Sequence, residues 1–257
     1  MSDTADGRGL RSVSHTRWSA FRECPRRAWL AYVDKVPEPD DPRGGASPLA
    51  RGIRVHEACE AFLRAPAGAP DPFPPEAAAF EAPLRHLRLV AEGDPGALVV
   101  EQMWEFDGDW APVSRPPPAE VWLRAKLDAF VFLDAARTAA VAVDFKTGKR
   151  FGNEVKHEEQ AQVYALCAFR RFPTLKSVHA EFWYFDKALL HRTQYRWPAA
   201  LRHFERWSAE LRRVTDARTF PPAPSKQACR WCPFQTGAVG ARGPEGTGHC
   251  DRNLVLE

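Results

Sequence analysis

The chain has 257 residues, enough for one large domain or one domain with an appendage. Its composition, 44% hydrophobic and 27% charged, is that of a globular protein, and no apolar run approaches the roughly 18 residues of a membrane span. The formal charge of +3 permits a nucleic-acid partner without requiring one, and the polar stretch Met1–Leu10 is no signal peptide, so a reducing cytoplasm is the expected compartment. In chain order, residues 1–12 read as a disordered N-terminus. Ser14 is placed to cap a short helix carrying Trp18, Phe21 and Cys24, which Pro25 interrupts. Residues 37–48 read as a loop. Leu49–Arg64 reads as a helix with Leu49, Ile53, His56, Cys59 and Leu63 near one face. A Pro/Gly-rich loop at 65–75 precedes a helix over 76–92, a strand over 98–106 and a second Pro-rich loop at 107–119. Strands at 121–133 and 138–146 flank a turn at Asp134–Arg137; a helix at 155–171 and strands at 177–186 and 191–197 follow. Pro198 opens a helix running to about Val214, and from Phe220 the tail is loop-like and Cys-rich. This order predicts an α/β fold with a central mixed sheet and helices on both faces.

The most informative stretch is Lys126-Leu127-Asp128 followed by Val143-Asp144-Phe145-Lys146-Thr147. Alternation along a strand puts Asp144 and Lys146 on one face and Phe145 on the other. A hairpin centred near Ala136 sets Asp128 across from Asp144, where like charges destabilise a sheet. Two carboxylates and an ammonium on one face make chemical sense around a hard divalent cation such as Mg²⁺. A nearby lysine then stabilises developing phosphate charge or helps position the attacking water. An ordinary salt-bridged surface hairpin is the competing reading. Against it stands the near-continuous apolar run Val141, Ala142, Val143 and Phe145, as in a strand buried on both faces.

Six cysteines occur, at 24, 59, 167, 229, 232 and 250. Cys59 and Cys167 lie on apolar helical faces and read as small buried hydrophobes. Cys229-Arg230-Trp231-Cys232 is a CxxC pair, with Cys250 beyond it and Cys24 near the other terminus. Four thiolates match either a structural Zn²⁺ or an iron–sulfur cluster, and the Cys-Pro steps at Cys24 and Cys232 lean towards iron. Such a group would tie the two ends of the chain together.

Asp128, Asp144-Phe145-Lys146 and Gln160-Ala161-Gln162-Val163-Tyr164 together resemble the PD-(D/E)xK nucleases of the RecB type. That family joins an Asp, a D-x-K strand and a following helix with a QxxxY motif, and commonly has a histidine on an upstream helix; His56 in Gly52-Ile53-Arg54-Val55-His56 fits. One Cys ahead of the core and three after it resemble the iron–sulfur subgroup, which includes CRISPR-adaptation nucleases and AddB-type recombination subunits. The resemblance implies a restriction-endonuclease-like core. It implies one nuclease domain over 13–257, with 220–257 and the Cys24 region as a metal-cluster subdomain. Asp128, Asp144, His56 and the Phe145 carbonyl would bind Mg²⁺ or Mn²⁺. Lys146 would activate water or stabilise the pentacovalent phosphate, and Gln160 and Tyr164 would orient DNA or metal-site groups. Cys24, Cys229, Cys232 and Cys250 would hold a [4Fe–4S] cluster. The implied activity is a DNA exonuclease acting on single strands or ends, in recombination, repair or CRISPR adaptation, with a helicase or a CRISPR-adaptation protein as partner and no membrane. Arg22, Arg26, Arg27, Arg51, Arg54, Lys149, Arg150 and Lys156 would supply phosphate contacts, and Trp18, Trp29 or Trp231 could stack on bases. Glu101 reads as an exposed strand residue that could instead line the same cleft. A non-catalytic DNA-binding or scaffolding subunit is the second reading, which the intact Asp/Asp/Lys set argues against.

Overall fold

The computed structural model describes residues 8–66, 68–69, 73–113, 120–148, 152–239 and 244–250. The chain divides into two compact units, one of Pro48–Glu120 with Arg124–Arg206, the other of Met1–Ser47, Val121–Leu123 and Trp207–Glu257.

In the first unit, helices α3 (Pro48–Arg64) and α4 (Glu81–Gly93, entered through a 3₁₀ segment at Pro75–Phe80) precede strands β1 (Leu98–Phe106), β2 (Leu123–Phe132, in this unit from Arg124 onward) and β3 (Ala139–Lys146). Helix α5 (Glu154–Arg171) and strands β4 (Ser177–Tyr184) and β5 (Leu189–Arg196) follow. The strands form one mixed sheet in the order β1-β2-β3-β4-β5. β3 runs antiparallel to β2 and parallel to β4, and β5 returns antiparallel to β4. This is the expected α/β architecture, consistent with a restriction-endonuclease-like core.

The β2–β3 hairpin closes because the Asp134 carboxylate accepts the N–H groups of Thr138 and Ala139 at 3.1 and 2.9 Å, while Arg137 takes the left-handed turn at φ 54°. Pairing Ala129 with Val143 fixes the register, and one further step along it sets Asp128 opposite Asp144. Alternation then divides the sheet residues. Ala129, Val131, Val143 and Phe145 face a core shared with Val55, Cys59, Phe62 and Leu63 of α3 and Leu84 and Leu87 of α4. Asp144 points the other way, towards α5, whose middle from Ala161 to Phe169 is buried throughout.

In the second unit, Ser14 caps α1 (His15–Glu23) through the Arg17 N–H at 3.3 Å. Pro25 ends that helix by forcing Cys24 into an extended conformation, φ −163°, and then opens α2 (Pro25–Tyr32). The unit also contains Trp207, Leu211 and Val214 from the later part of α6 (Leu201–Thr215), and α7 (Lys226–Arg230), capped by Ser225.

Several expectations need correction. Residues 8–12 are not a loose tail: Leu10 and Ser12 are buried, and Arg17 donates to Ser12. Residues 1–7 lie outside the described residues. On α3 the apolar face is rotated from the expected one, with Leu49 and Ile53 74% and 50% exposed and Val55 and Phe62 buried instead. The segment 76–92 is not one helix but a 3₁₀ turn leading into α4. Pro198 lies in a turn ahead of α6, which starts at Leu201.

Candidate active site

Five elements of the first unit deliver side chains to one place. β2 and β3 carry Asp128, Asp144 and Lys146; α3 brings His56, α5 brings Gln160 and Tyr164, and β1 brings Glu101.

Asp128 and Asp144 are both buried. Asp128 accepts the Phe145 backbone N–H on Oδ2 at 2.6 Å and faces His56 Nδ1 with Oδ1 at 3.2 Å. The other ring nitrogen, His56 Nε2, lies 3.0 Å from the Phe145 carbonyl. A carbonyl only accepts, so both ring nitrogens face acceptors and the geometry calls for an imidazolium. Burial alone would lower the His56 pKa, but the Asp128 and Glu101 carboxylates outweigh it and raise the ring to about 10. Burial and the neighbouring Asp144 charge push Asp128 up to about 6, against the pull of His56 and the Phe145 N–H. The repulsion expected between the facing carboxylates is thus offset by a cation on each side.

Asp144 has its own partners. Its Oδ1 accepts from Gln160 Nε2 at 3.0 Å and faces the Tyr164 hydroxyl at 2.9 Å, and its Oδ2 pairs with the Lys146 ammonium. Gln160 also donates to Tyr164 at 2.7 Å, and Lys146 donates to Gln160 Oε1 at 3.4 Å and lies over the Phe182 ring. Spacing of four residues on α5 puts Gln160 and Tyr164 on one face, directed at Asp144. Behind Lys146, across the β3–β4 pairing, the Tyr184 hydroxyl bonds His157 Nδ1, and burial together with the Lys146 charge holds His157 down to about 4.

Glu101 is where sequence reasoning fell short. It is not an exposed strand residue: its side chain is 6% exposed, and Oε2 pairs with Lys126 at 2.5 Å. Its φ of 48° departs from strand geometry, so alternation along β1 could not have predicted where it points. His56, Glu101 and Asp128 each offer a ligand atom, all within 4.8 Å of one another. A set of carboxylate and carbonyl oxygens with one imidazole suits a hard divalent cation, so the residues present fit such an ion.

In the second unit, Cys24, Cys229, Cys232 and Cys250 line one cavity together with Arg26, Arg27, Leu30, Pro222, Pro224 and Ala228. The break between α1 and α2 presents Cys24, and α7 and the turn after it present Cys229 and Cys232. Backbone N–H groups already point at sulfur: that of Ala223 lies 3.4 Å from Cys24 Sγ, and that of Phe234 opposes the upward push that burial gives Cys232. Cys59 and Cys167 are fully buried in the first unit and do not line this cavity, and burial raises the Cys59 thiol to about 12.

The nucleic-acid contacts expected from arginine and tryptophan fare unevenly. Trp18 and Trp29 are buried, with their N–H groups on Glu210 and Asp34 at 3.2 and 2.6 Å, and are not base platforms. Trp231 is 57% exposed, with the Arg230 guanidinium 5.4 Å from its ring. Arg51 is engaged by Asp186 at 2.6 Å and Arg27 by Glu23 at 2.9 Å. Lys149 and Arg150 lie outside the described residues.

Among solved structures, the chain is similar to the crystal structure of SSO0001, with 12% identity and a TM-score of 0.41 over 96% of this chain and 89% of that one. No curated protein sequence matches significantly. No helix among the described residues is long and apolar enough to cross a membrane. The family model for the PD-(D/E)XK nuclease superfamily matches residues 12–236, a span that takes in His56, Asp128, Asp144, Lys146, Gln160 and Tyr164; the chain belongs to that superfamily.

Proposed function

We propose that the chain is a Mg²⁺- or Mn²⁺-dependent deoxyribonuclease that hydrolyses phosphodiester bonds as an exonuclease on single-stranded DNA or DNA ends. The observation that carries this reading is the convergence of Asp128, Asp144, Lys146, His56 and the Phe145 carbonyl in one contiguous cluster. Asp128, Asp144, His56 and the Phe145 carbonyl would hold the ion. When bound, a divalent ion there would polarise the phosphate and lower the pKa of a bound water. Hydrolysis adds water oxygen to phosphorus and breaks the bond to the leaving sugar oxygen, so negative charge builds on the phosphoryl oxygens. Lys146, steadied by Asp144, Gln160 and the Phe182 ring, presents its ammonium to that charge or orients the water. Gln160 and Tyr164 fix the Asp144 carboxylate so that its geometry is set before substrate arrives.

The second element of the proposal is a [4Fe–4S] cluster on Cys24, Cys229, Cys232 and Cys250. Four free thiols around one cavity, with backbone N–H groups already directed at sulfur and Arg26 and Arg27 beside them, support it. Structural Zn²⁺ is the alternative for the same thiols. The pathway that fits is DNA recombination, repair or CRISPR adaptation in a reducing cytoplasm, with a helicase or a CRISPR-adaptation protein as partner. A non-catalytic DNA-binding role would not need Lys146 packed against a buried carboxylate.

End-labelled single- and double-stranded DNA incubated with Mg²⁺ or Mn²⁺ tests the enzyme reading. Stepwise shortening by the wild type, lost in Lys146→Ala, is the expected result. Equal cleavage by both proteins would remove the assignment, and internal cuts would replace exonuclease by endonuclease. Anaerobic reconstitution with elemental analysis decides between iron and zinc.

A further inference from the structure

We propose that Glu101 is a ligand of the same divalent ion, an acidic donor outside the D-x-K pattern, held ready by Lys126. The inference rests on the metal-dependent nuclease reading and adds a residue to it.

Three observations carry it. The Glu101 side chain is 6% exposed, and its Oε1 is buried without a hydrogen-bond partner. That oxygen points into the group formed with His56 and Asp128, 3.8 Å from His56 Nδ1, and the three ligand atoms all lie within 4.8 Å of one another. A buried carboxylate oxygen left without a hydrogen bond is costly, and a cation among these donors would satisfy it. The backbone gives independent support. Glu101 occupies the left-handed region at φ 48° inside β1, a conformation that a non-glycine residue keeps only where its surroundings hold it. With strand alternation broken there, the carboxylate is free to turn towards Asp128. Lys126, two residues before Asp128, holds Glu101 Oε2 at 2.5 Å while its own side chain stays 56% exposed. Its ammonium therefore neutralises Glu101 in the metal-free protein and competes with an incoming cation. A structural ion pair with Lys126 would account for Oε2, but neither for an Oε1 that faces the His56 ring at 3.8 Å without a hydrogen bond nor for the twist in β1.

Mn²⁺ binding to the full chain without DNA, measured by calorimetry, tests this directly. Glu101→Gln keeps the shape and removes the charge, and should weaken Mn²⁺ binding by about tenfold or more with the circular dichroism of wild type. Lys126→Met should tighten binding, and the gain should vanish when Glu101→Gln is added. Wild-type affinity in Glu101→Gln, or a Lys126→Met gain that survives in the double variant, overturns the inference. Should Glu101→Gln fail to fold, Lys126→Met alone decides: tighter binding supports the ligand role, and unchanged or weaker binding overturns it. A wild type that binds Mn²⁺ through Glu101 but cleaves no DNA sinks the nuclease reading and leaves this one standing. Cleavage by wild type with unaltered Mn²⁺ affinity in Glu101→Gln does the reverse. A wild type that binds no Mn²⁺ overturns both.

Discussion

The carboxylate cleft and the cysteine cavity differ in how the chain holds their donors. In the cleft, Asp128, Asp144 and Lys146 sit on adjacent strands whose register is fixed by backbone pairing, and every charge has an opposite neighbour within the same unit. His56 and Lys126 occupy places that positive charge must fill, so the site is organised before any ion enters. In the cavity, the donors come from a helix break, a five-residue helix and its following turn, and a terminal loop, with Cys24 and Cys250 far apart in sequence. Burial raises Cys232 in its thiol form, and closure between such distant segments has to be held against the entropy of a long loop. A preorganised site should lose chemistry and keep its fold when a donor is removed; a site whose closure depends on its ligand should lose the fold first.

The largest effect tests the first half of that contrast. Asp144→Asn preserves the acceptor for Gln160 and Tyr164 but removes the charge, and should reduce single-turnover cleavage about a thousandfold while the melting temperature barely moves. Asp144→Ala should behave differently. Sequence alone suggests that deleting one of two repelling carboxylates costs little stability. The structure surrounds Asp144 with Lys146, Gln160 and Tyr164, all of which lose their partner, so Asp144→Ala should also cost about 1–3 kcal/mol, read by denaturant titration. Equal stability of the two variants would break the picture of a tightly satisfied carboxylate.

The cavity should show the opposite profile. On the proposed cluster, Cys229→Ser should abolish iron binding on anaerobic reconstitution and lower the melting temperature by roughly 5 °C or more. Cleavage per folded molecule should stay near the wild-type value, because no cysteine of the cavity is among the donors of the cleft. A variant that keeps its melting temperature but loses cleavage would erase the distinction between the two sites.

What sequence could deliver follows from the same contrast. The hairpin, the Asp144 and Lys146 face and the Gln160 and Tyr164 pair were legible because strand and helix periods determine which way side chains point. Glu101 was not, since its positive φ breaks the period on which such reasoning depends. The face of α3 was misread for a related reason. Of the expected stripe, Cys59 and Leu63 do enter the core, joined by Val55 and Phe62, whereas Leu49 and Ile53 are exposed and His56 lies at the edge. The burial of Trp18 and Trp29 is tertiary: it depends on partners such as Trp207 and Phe220, remote in sequence.

Proton linkage gives a smaller but sharper test of the cleft. In the metal-free protein His56 titrates at about 10, so at neutral pH the ring carries a proton that must leave before it binds an ion. One proton released per ion makes apparent Mn²⁺ affinity fall about tenfold per pH unit from pH 8 to 6. Below about 6, where Asp128 also takes up a proton, the fall should steepen. Calorimetry in buffers of different ionisation enthalpy counts the proton directly, and no release would mean that His56 is not a ligand. For the metal-free fold the sign is reversed. A raised histidine pKa stabilises the native state fully below its ordinary value near 6.5, and that contribution fades as pH rises through about 10.

The smallest expected effect distinguishes a group that fixes the cleft from one that reacts in it. The Tyr164 hydroxyl has one hydrogen but two oxygens to serve, Asp144 Oδ1 at 2.9 Å and the Lys126 carbonyl at 3.0 Å, and it accepts from Gln160 Nε2. Burial comes first among the causes that hold its pKa well above the ordinary phenol value, followed by the two aspartates, so it stays a neutral hydroxyl at any working pH. A group that never ionises and touches the carboxylate from behind acts on the geometry of Asp144, not on the phosphate. Tyr164→Phe removes the bridge but leaves the ring packed. It should cost about 1–2 kcal/mol of stability and lower kcat about tenfold or less with KM for DNA unchanged. The pH profile of cleavage should keep its shape, because no titrating group has been removed. A shifted limb in that profile, or a loss as deep as that of Asp144→Asn, would move Tyr164 from support to chemistry.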